Sequence, residues 1–233
     1  MGPLVNTDWL AAELGKPDLI IFDATMYLPN ENKNGQAEFR RAHIPGARYF
    51  DIDVIADPDT DLPHMVPTPG RFARLIGGLG VSNASRVVFY DQKGLASAAR
   101  GWWLMGLFGH DAAAVLDGGL PKWLREGRPT ETGDPPSPAP TSFRPDYRAA
   151  RLRGIGDVLG NLKTSAELVV DARAAGRFTG EVPNRAPACA AATSPARRAC
   201  PTPTCSTTAA RSAPPTRCAH VWRRRASMAR ARW

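Results

Sequence analysis

Hydrophobic residues fall along the chain in two alternating patterns. Continuous apolar runs of three or four residues, Leu19-Ile20-Ile21-Phe22, Val87-Val88-Phe89-Tyr90 and Ala114-Val115-Leu116, each end in an aspartate: Asp23, Asp91 and Asp117. Runs without polar alternation suit strands buried on both faces of a parallel sheet. Between them lie segments with helical spacing. Asn6-Thr7-Asp8 offers an N-cap before Trp9–Leu14, with a stop at Gly15. Ala37–Arg41 reads as a short helical turn and Ile44–Ala47 as a loop. Pro69 opens a helix through Ile76, and Ala96–Leu107 is a helix that turns Trp102, Trp103, Leu104 and Leu107 inward. Gly118-Gly119 leads into a last helix around Trp123. Strands alternating with helices predict an α/β fold, a parallel sheet flanked by helices.

The pattern then breaks and restarts. Gly133–Thr141 (GDPPSPAPT) predicts a stiff, extended linker that does not pack. Beyond it, Ile155–Leu162 is helical, and Ala166–Arg173 is a strand carrying Asp171-Ala172, as the first unit carries Asp23-Ala24. A second copy of the first unit begins here and stops being readable at Pro183. The organisation expected is a first domain over 4–132, a linker over 133–142, the start of a second copy over 143–183 and a tail over 184–233.

Charge separates the tail from the body. The net charge of +8 resolves into −2 over residues 1–183 and +10 over 184–233. The tail holds ten arginines and no Lys, Asp, Glu, Leu, Ile, Phe, Tyr or Gly, and it carries all four cysteines, Cys189, Cys200, Cys205 and Cys218. Such a composition buries too little apolar surface to offset its ordering entropy, so the tail is expected to be disordered. Three readings of it stand. Arg223-Arg224-Arg225 and neighbouring arginines could neutralise nucleic-acid phosphates. The cysteines could hold a metal or pair, although spacings of eleven, five and thirteen fit no zinc pattern and His220 is the one histidine nearby. Or the tail is translated out of frame, since a bias to Ala, Arg, Pro and Thr is what GC-rich coding DNA gives one nucleotide off.

The body resembles the two-domain rhodanese-like sulfurtransferases, which include thiosulfate and 3-mercaptopyruvate sulfurtransferases. The resemblance rests on His43-Ile44-Pro45-Gly46-Ala47-Arg48, Phe50-Asp51-Ile52-Asp53, Val87–Asp91, Trp102-Trp103 and Val115–Leu120 with Trp123. In the second unit it rests on Asp171-Ala172-Arg173 and Arg177-Phe178-Thr179-Gly180, and it covers about residues 4–183. It implies a cysteine in a loop of the second domain that takes a sulfane sulfur as a persulfide and passes it to cyanide or a thiol. Backbone N–H groups of that loop favour the thiolate. It implies a small anionic sulfur donor and no metal or organic cofactor. The oligomeric state is left open.

Site residues follow from the same resemblance. Asp53 and His64 match an Asp and a His of the mercaptopyruvate branch, a proton relay for the departing enolate that a serine of the cysteine loop completes. The alternative makes His64 a solvated loop residue and Asp53 a cap. Arg177 matches an arginine that binds the anionic donor through its planar fork, whereas Arg173 is expected to orient the strand end. His43 reads as a structural residue of its turn and His110 as a loop residue. Asp91 stands near the place of the cysteine in the first domain, so the loop Asp91–Ala98 is either a vestigial anion cradle or a plain strand-to-helix turn.

The genetic code allows the frame reading to be checked. Joining the last base of each tail codon to the first two of the next makes Pro183–Arg197 compatible with E-P-R-P-G-L-R-S-G-H-I-P-G-A, which repeats the His43–Ala47 motif. Ala199–Thr207 becomes compatible with L-P-Y-x-D-M-L-D. A frame slip near Asn184 is therefore expected to have removed the nucleophilic cysteine and left no sulfur transfer, with thiosulfate and 3-mercaptopyruvate both open as donors. The competing class is a catalytically silent rhodanese-fold binding module with an Arg-rich nucleic-acid arm. No apolar run reaches the roughly 20 residues of a membrane helix. The start lacks the basic and apolar regions of a secretory signal, so a cytoplasmic protein without membrane association is expected.

Overall fold

A computed structural model describes residues 1–173, 175–179, 181 and 197–199, and the chain divides into two units, Met1–Arg153 and Gly154–Trp233.

In the first unit the elements run β1 (Leu4–Val5), α1 (Thr7–Glu13), β2 (Leu19–Asp23), α2 (Gly35–Arg41), β3 (Arg48–Tyr49), α3 (Ile52–Ile55), α4 (Pro69–Gly78), β4 (Arg86–Tyr90), α5 (Ala98–Leu107), β5 (Ala113–Leu116) and α6 (Gly119–Arg125). The strands form one parallel sheet in the order β1-β5-β4-β2-β3. Local chemistry sets the helix starts. The Asn6, Asn34 and Thr68 side chains accept from backbone N–H groups three residues on, capping α1, α2 and α4.

The apolar runs behave as expected of a sheet covered on both sides. Along β2 and β4, Ile20, Phe22, Val87 and Phe89 face one core and Ile21, Val88 and Tyr90 the other. The first core receives Ile52 and Ile55 of α3, Phe72 and Ile76 of α4, and Leu104 and Leu107 of α5. The second receives Leu10 of α1, Phe39 of α2, and Leu120 and Trp123 of α6. Phe22, Phe50 and Phe89 meet at ring separations of 5.2–5.6 Å. Gly101 lets α5 lie against this cluster, because a Cβ there would enter the Phe89 ring.

The stretch expected as a linker, 133–142, is extended and mostly exposed, and the residues after it, expected to open the second copy, pack on the first unit. Thr141 N donates to the Gly77 carbonyl at 2.8 Å, Asp146 N to Phe108 at 2.9 Å and Arg148 N to Leu107 at 2.8 Å. Phe143 is 5% exposed and sits edge-on to Phe72. The physical reason lies at the ends of α4 and α5, whose last carbonyls lack intrahelical partners and accept from this extended chain. The prolines keep 133–142 out of helices and sheets, and the core contact begins at Phe143.

The second unit contains α7 (Ile155–Thr164), β6 (Val169–Asp171), α8 (Ala175–Thr179) and β7 (Arg197–Ala199), with β6 and β7 paired in parallel. Residues 197–199 thus depart from the disorder expected of 184–233: main-chain pairing needs no particular side chains, and β6 offers a strand edge. The rest of that tail, with Cys189, Cys200, Cys205, Cys218 and Arg223–Arg225, lies outside the described residues.

Candidate functional site

Two constellations form in the first unit. In the first, Asp51 accepts through one oxygen from the N–H groups of Asp53 and Val54 at 3.0 and 3.1 Å, starting the single turn of α3. Ile52 and Ile55 point into the core, which leaves Asp53 turned outward and 72% exposed on its side chain. The chain loops away through Pro58 and Pro63 and returns, closed by Asp57 N on the Met65 carbonyl at 3.1 Å. His64 adopts a left-handed backbone, φ 57°, and its carbonyl accepts from an Arg100 Nη. The result is His64 Nε2 at 2.8 Å from Asp53 Oδ1. The geometry brings together the two residues singled out from sequence. A carboxylate on one imidazole nitrogen fixes the tautomer and supports an imidazolium, the requirement for passing a proton. Exposure makes the pair itself worth little to stability.

The second constellation is the loop between β4 and α5. Asp91 is fully buried, and its carboxylate accepts from five backbone N–H groups: Lys93 and Leu95 on Oδ1 at 2.9 and 3.1 Å, and Ala96, Ser97 and Ala98 on Oδ2 at 2.7–3.0 Å. Positive φ at Gly94 (82°) and Leu95 (99°) curls the chain around the carboxylate. Successive N–H groups converging in this way make an anion nest. Here the anion is the protein's own. The loop is a cradle already filled, and it contains no cysteine.

Next to it, at the carboxyl end of β2, buried Asp23 accepts from Thr25 N at 2.9 Å, from the Thr25 hydroxyl and from Gln92 Nε2 at 3.1 Å. Burial pushes its carboxyl above the usual range, with those bonds opposing. Gln92 N donates to Thr25 Oγ1 and Met26 N to Ser97 Oγ, so the β2 and β4 ends form one network.

The remaining sequence candidates separate. His43 is buried, stacks on Phe39 at 4.1 Å and holds the Phe39 carbonyl at Nδ1, 3.0 Å away. His110 is also buried, and burial lowers its pKa. In the second unit Arg177 sits half-buried on α8, and Arg173 pairs with Asp171 at 2.8 Å. Among the described residues no group of His, Cys, Asp or Glu side chains is arranged to hold a metal ion. Sequence reasoning passed over Arg100. The clue was an arginine in α5 with no acidic residue three or four positions away on either side.

This fold and these loops define a class. The rhodanese-like domain family matches residues 6–126, more than half of the chain, and the chain belongs to that family. It is 42% identical over 186 residues to human 3-mercaptopyruvate sulfurtransferase, covering 77% of this chain and 62% of that protein. It is 39% identical over 201 residues to the Arabidopsis thaliana mitochondrial thiosulfate/3-mercaptopyruvate sulfurtransferase 1, covering 78% and 53%. The crystal structure of the Escherichia coli 3-mercaptopyruvate sulfotransferase SseA superposes with a TM-score of 0.76 at 32% identity, over 86% of this chain and 75% of that one. The alignments to the human and Arabidopsis proteins thus span less than two thirds of those relatives' lengths. Among the described residues no helix is long and apolar enough to cross a membrane.

Proposed function

We propose that this chain derives from a cytoplasmic two-copy sulfurtransferase carrying a sulfane sulfur from 3-mercaptopyruvate or thiosulfate to cyanide or a thiol, and that it transfers no sulfur as written. In such an enzyme a cysteine thiolate attacks the donor sulfur. The carbon–sulfur bond of 3-mercaptopyruvate breaks, its electron pair leaves with the enolate, and a proton relayed through His64 and Asp53 completes pyruvate. Arg177 would hold the donor's anionic end.

The observation that carries the reading is the Asp91 loop. Its five N–H groups are arranged as a persulfide cradle requires, yet they close on a carboxylate. The nucleophile must then come from a second copy of the loop. After Pro183 no cysteine stands in a glycine-containing loop. The shifted-frame string with its second H-I-P-G-A, and the β6–β7 pairing that repeats β2–β3, support a lost second copy over 143–183 and beyond. The Asp53–His64 contact favours the mercaptopyruvate branch.

The test compares two purified proteins: this chain, and one whose gene is restored to the other frame at codon 184. Each receives 3-mercaptopyruvate or thiosulfate with cyanide, and thiocyanate is measured. Blank-level product from this chain and turnover by the restored one is the expected result. Turnover by this chain that thiol alkylation abolishes would overturn the proposal.

A further inference from the structure

Beside the His64 loop a cavity of about 520 Å³ opens in the first unit, within the size range of small-molecule sites. Its wall is mostly apolar, built from Trp103, Tyr147 and Leu152 among others, and Arg100 is its one full positive charge. The Arg100 guanidinium lies 4.8 Å from the centre of the Trp103 ring. It makes one hydrogen bond, from an Nη to the His64 carbonyl, and its Nε is buried without an acceptor. Among the described residues no carboxylate forms an ion pair with it, although Asp57 lines the same cavity. Burial works against its charge. Arg86 is neutralised by Glu13 and Asp18 and Arg148 by Asp111, whereas Arg48 and Arg71, like Arg100, bond only main-chain carbonyls; of these three Arg100 alone lines this cavity. A partly desolvated charge with a single neutral acceptor is a cost that a bound anion would offset.

We infer that this cavity binds a small organic monocarboxylate with an apolar body, its carboxylate on the Arg100 guanidinium and its body against Trp103, Tyr147 and Leu152. The apolar wall disfavours phosphate or sulfate, whose remaining oxygens would find few donors. Asp57 disfavours a second carboxylate on the ligand. The site needs neither a cysteine nor any residue after Leu152, although His64, a relay residue of the proposed function, also lines it.

The unmodified chain tests this with three probes: naphthoate, its uncharged isostere naphthamide, and naphthalene dicarboxylate. Side-chain N–H NMR follows the Trp103 indole and the Arg100 Nε–H, assigned from Trp103→Phe and Arg100→Lys spectra. Naphthoate is expected to shift both resonances saturably and to bind at least about ten-fold tighter than naphthamide, the margin of a charge-assisted contact. The dicarboxylate is expected to bind more weakly than naphthoate, and Arg100→Gln to remove the preference for naphthoate over naphthamide. Equal binding of naphthoate and naphthamide by the unmodified chain would overturn the inference, as would the absence of a saturable Trp103 shift. The unmodified chain decides the matter even if Arg100→Gln folds poorly.

Discussion

Strands β2 and β6 follow the same local pattern, and their surroundings differ sharply. Each ends in an aspartate whose carboxylate accepts from the N–H two residues on, Thr25 N on Asp23 and Arg173 N on Asp171, both at 2.9 Å. Each follows a helix and pairs in parallel with a later short strand. But β2 is buried from Ile20 to Asp23 beneath helices on both faces, while in β6 only Asp171 is buried and Val170 is 54% exposed. Helix α1 buries Thr7 and Leu10, whereas α7 buries none of its residues and leaves Ile155 84% exposed. The local signals are intact in both units. What the second lacks among its described residues is the set of partners that turns an apolar run into a core. A two-stranded sheet without covering layers is marginal in water.

The largest break in this comparison should come at Asp91. Asp91→Ala strands five N–H groups in a buried loop, and the cost is about 3–5 kcal/mol of first-unit stability. Urea denaturation followed by tryptophan fluorescence measures it. The corresponding strand-end change in the second unit, Asp171→Ala, should leave that transition where it was. Next comes Phe143→Ala, which removes the anchor of the 133–153 segment and costs about 3 kcal/mol in the same assay. An unchanged midpoint would mean that the residues after Thr141 add nothing to the first unit's core.

Asp23 sharpens the contrast through pH. Its carboxyl titrates higher in the folded unit than the ordinary 3.8 of the unfolded chain. The folded state therefore holds its proton longer, and the Asp23 contribution to stability declines as pH rises from 3.8 through the folded pKa. Asp23→Asn should flatten the stability profile in that window and leave the profile at lower pH nearly unchanged. The smallest effect on stability belongs to Val170→Ser. It should not move the main unfolding transition, and it should reduce binding of a hydrophobic dye by the native chain, because it removes exposed apolar surface.

Much of the first unit was legible because buried parallel strands write themselves as unbroken apolar runs, and Leu19–Asp23 and Arg86–Tyr90 begin and end close to where the runs do. Asp53 and His64 were legible only through a family spacing, since nothing in the ten intervening positions says that the loop returns. The Asp91 cradle depends on left-handed backbone at Gly94 and Leu95, and leucine gives no warning of that conformation. The packing of 143–153 was hidden because these residues follow a proline-rich spacer. Its attachments are main-chain bonds to helix-end carbonyls and one buried phenylalanine, and prolines around them resemble a spacer. Arg100 escaped because its importance lies in what it does not touch.

The central claim is that no thiol of this chain carries sulfane sulfur. The chain can be incubated with excess 3-mercaptopyruvate, trapped with an alkylating reagent that preserves persulfides, digested and mapped by mass spectrometry at Cys189, Cys200, Cys205 and Cys218. The account predicts four plain alkylated thiols, and a stoichiometric persulfide at any one of them would contradict it.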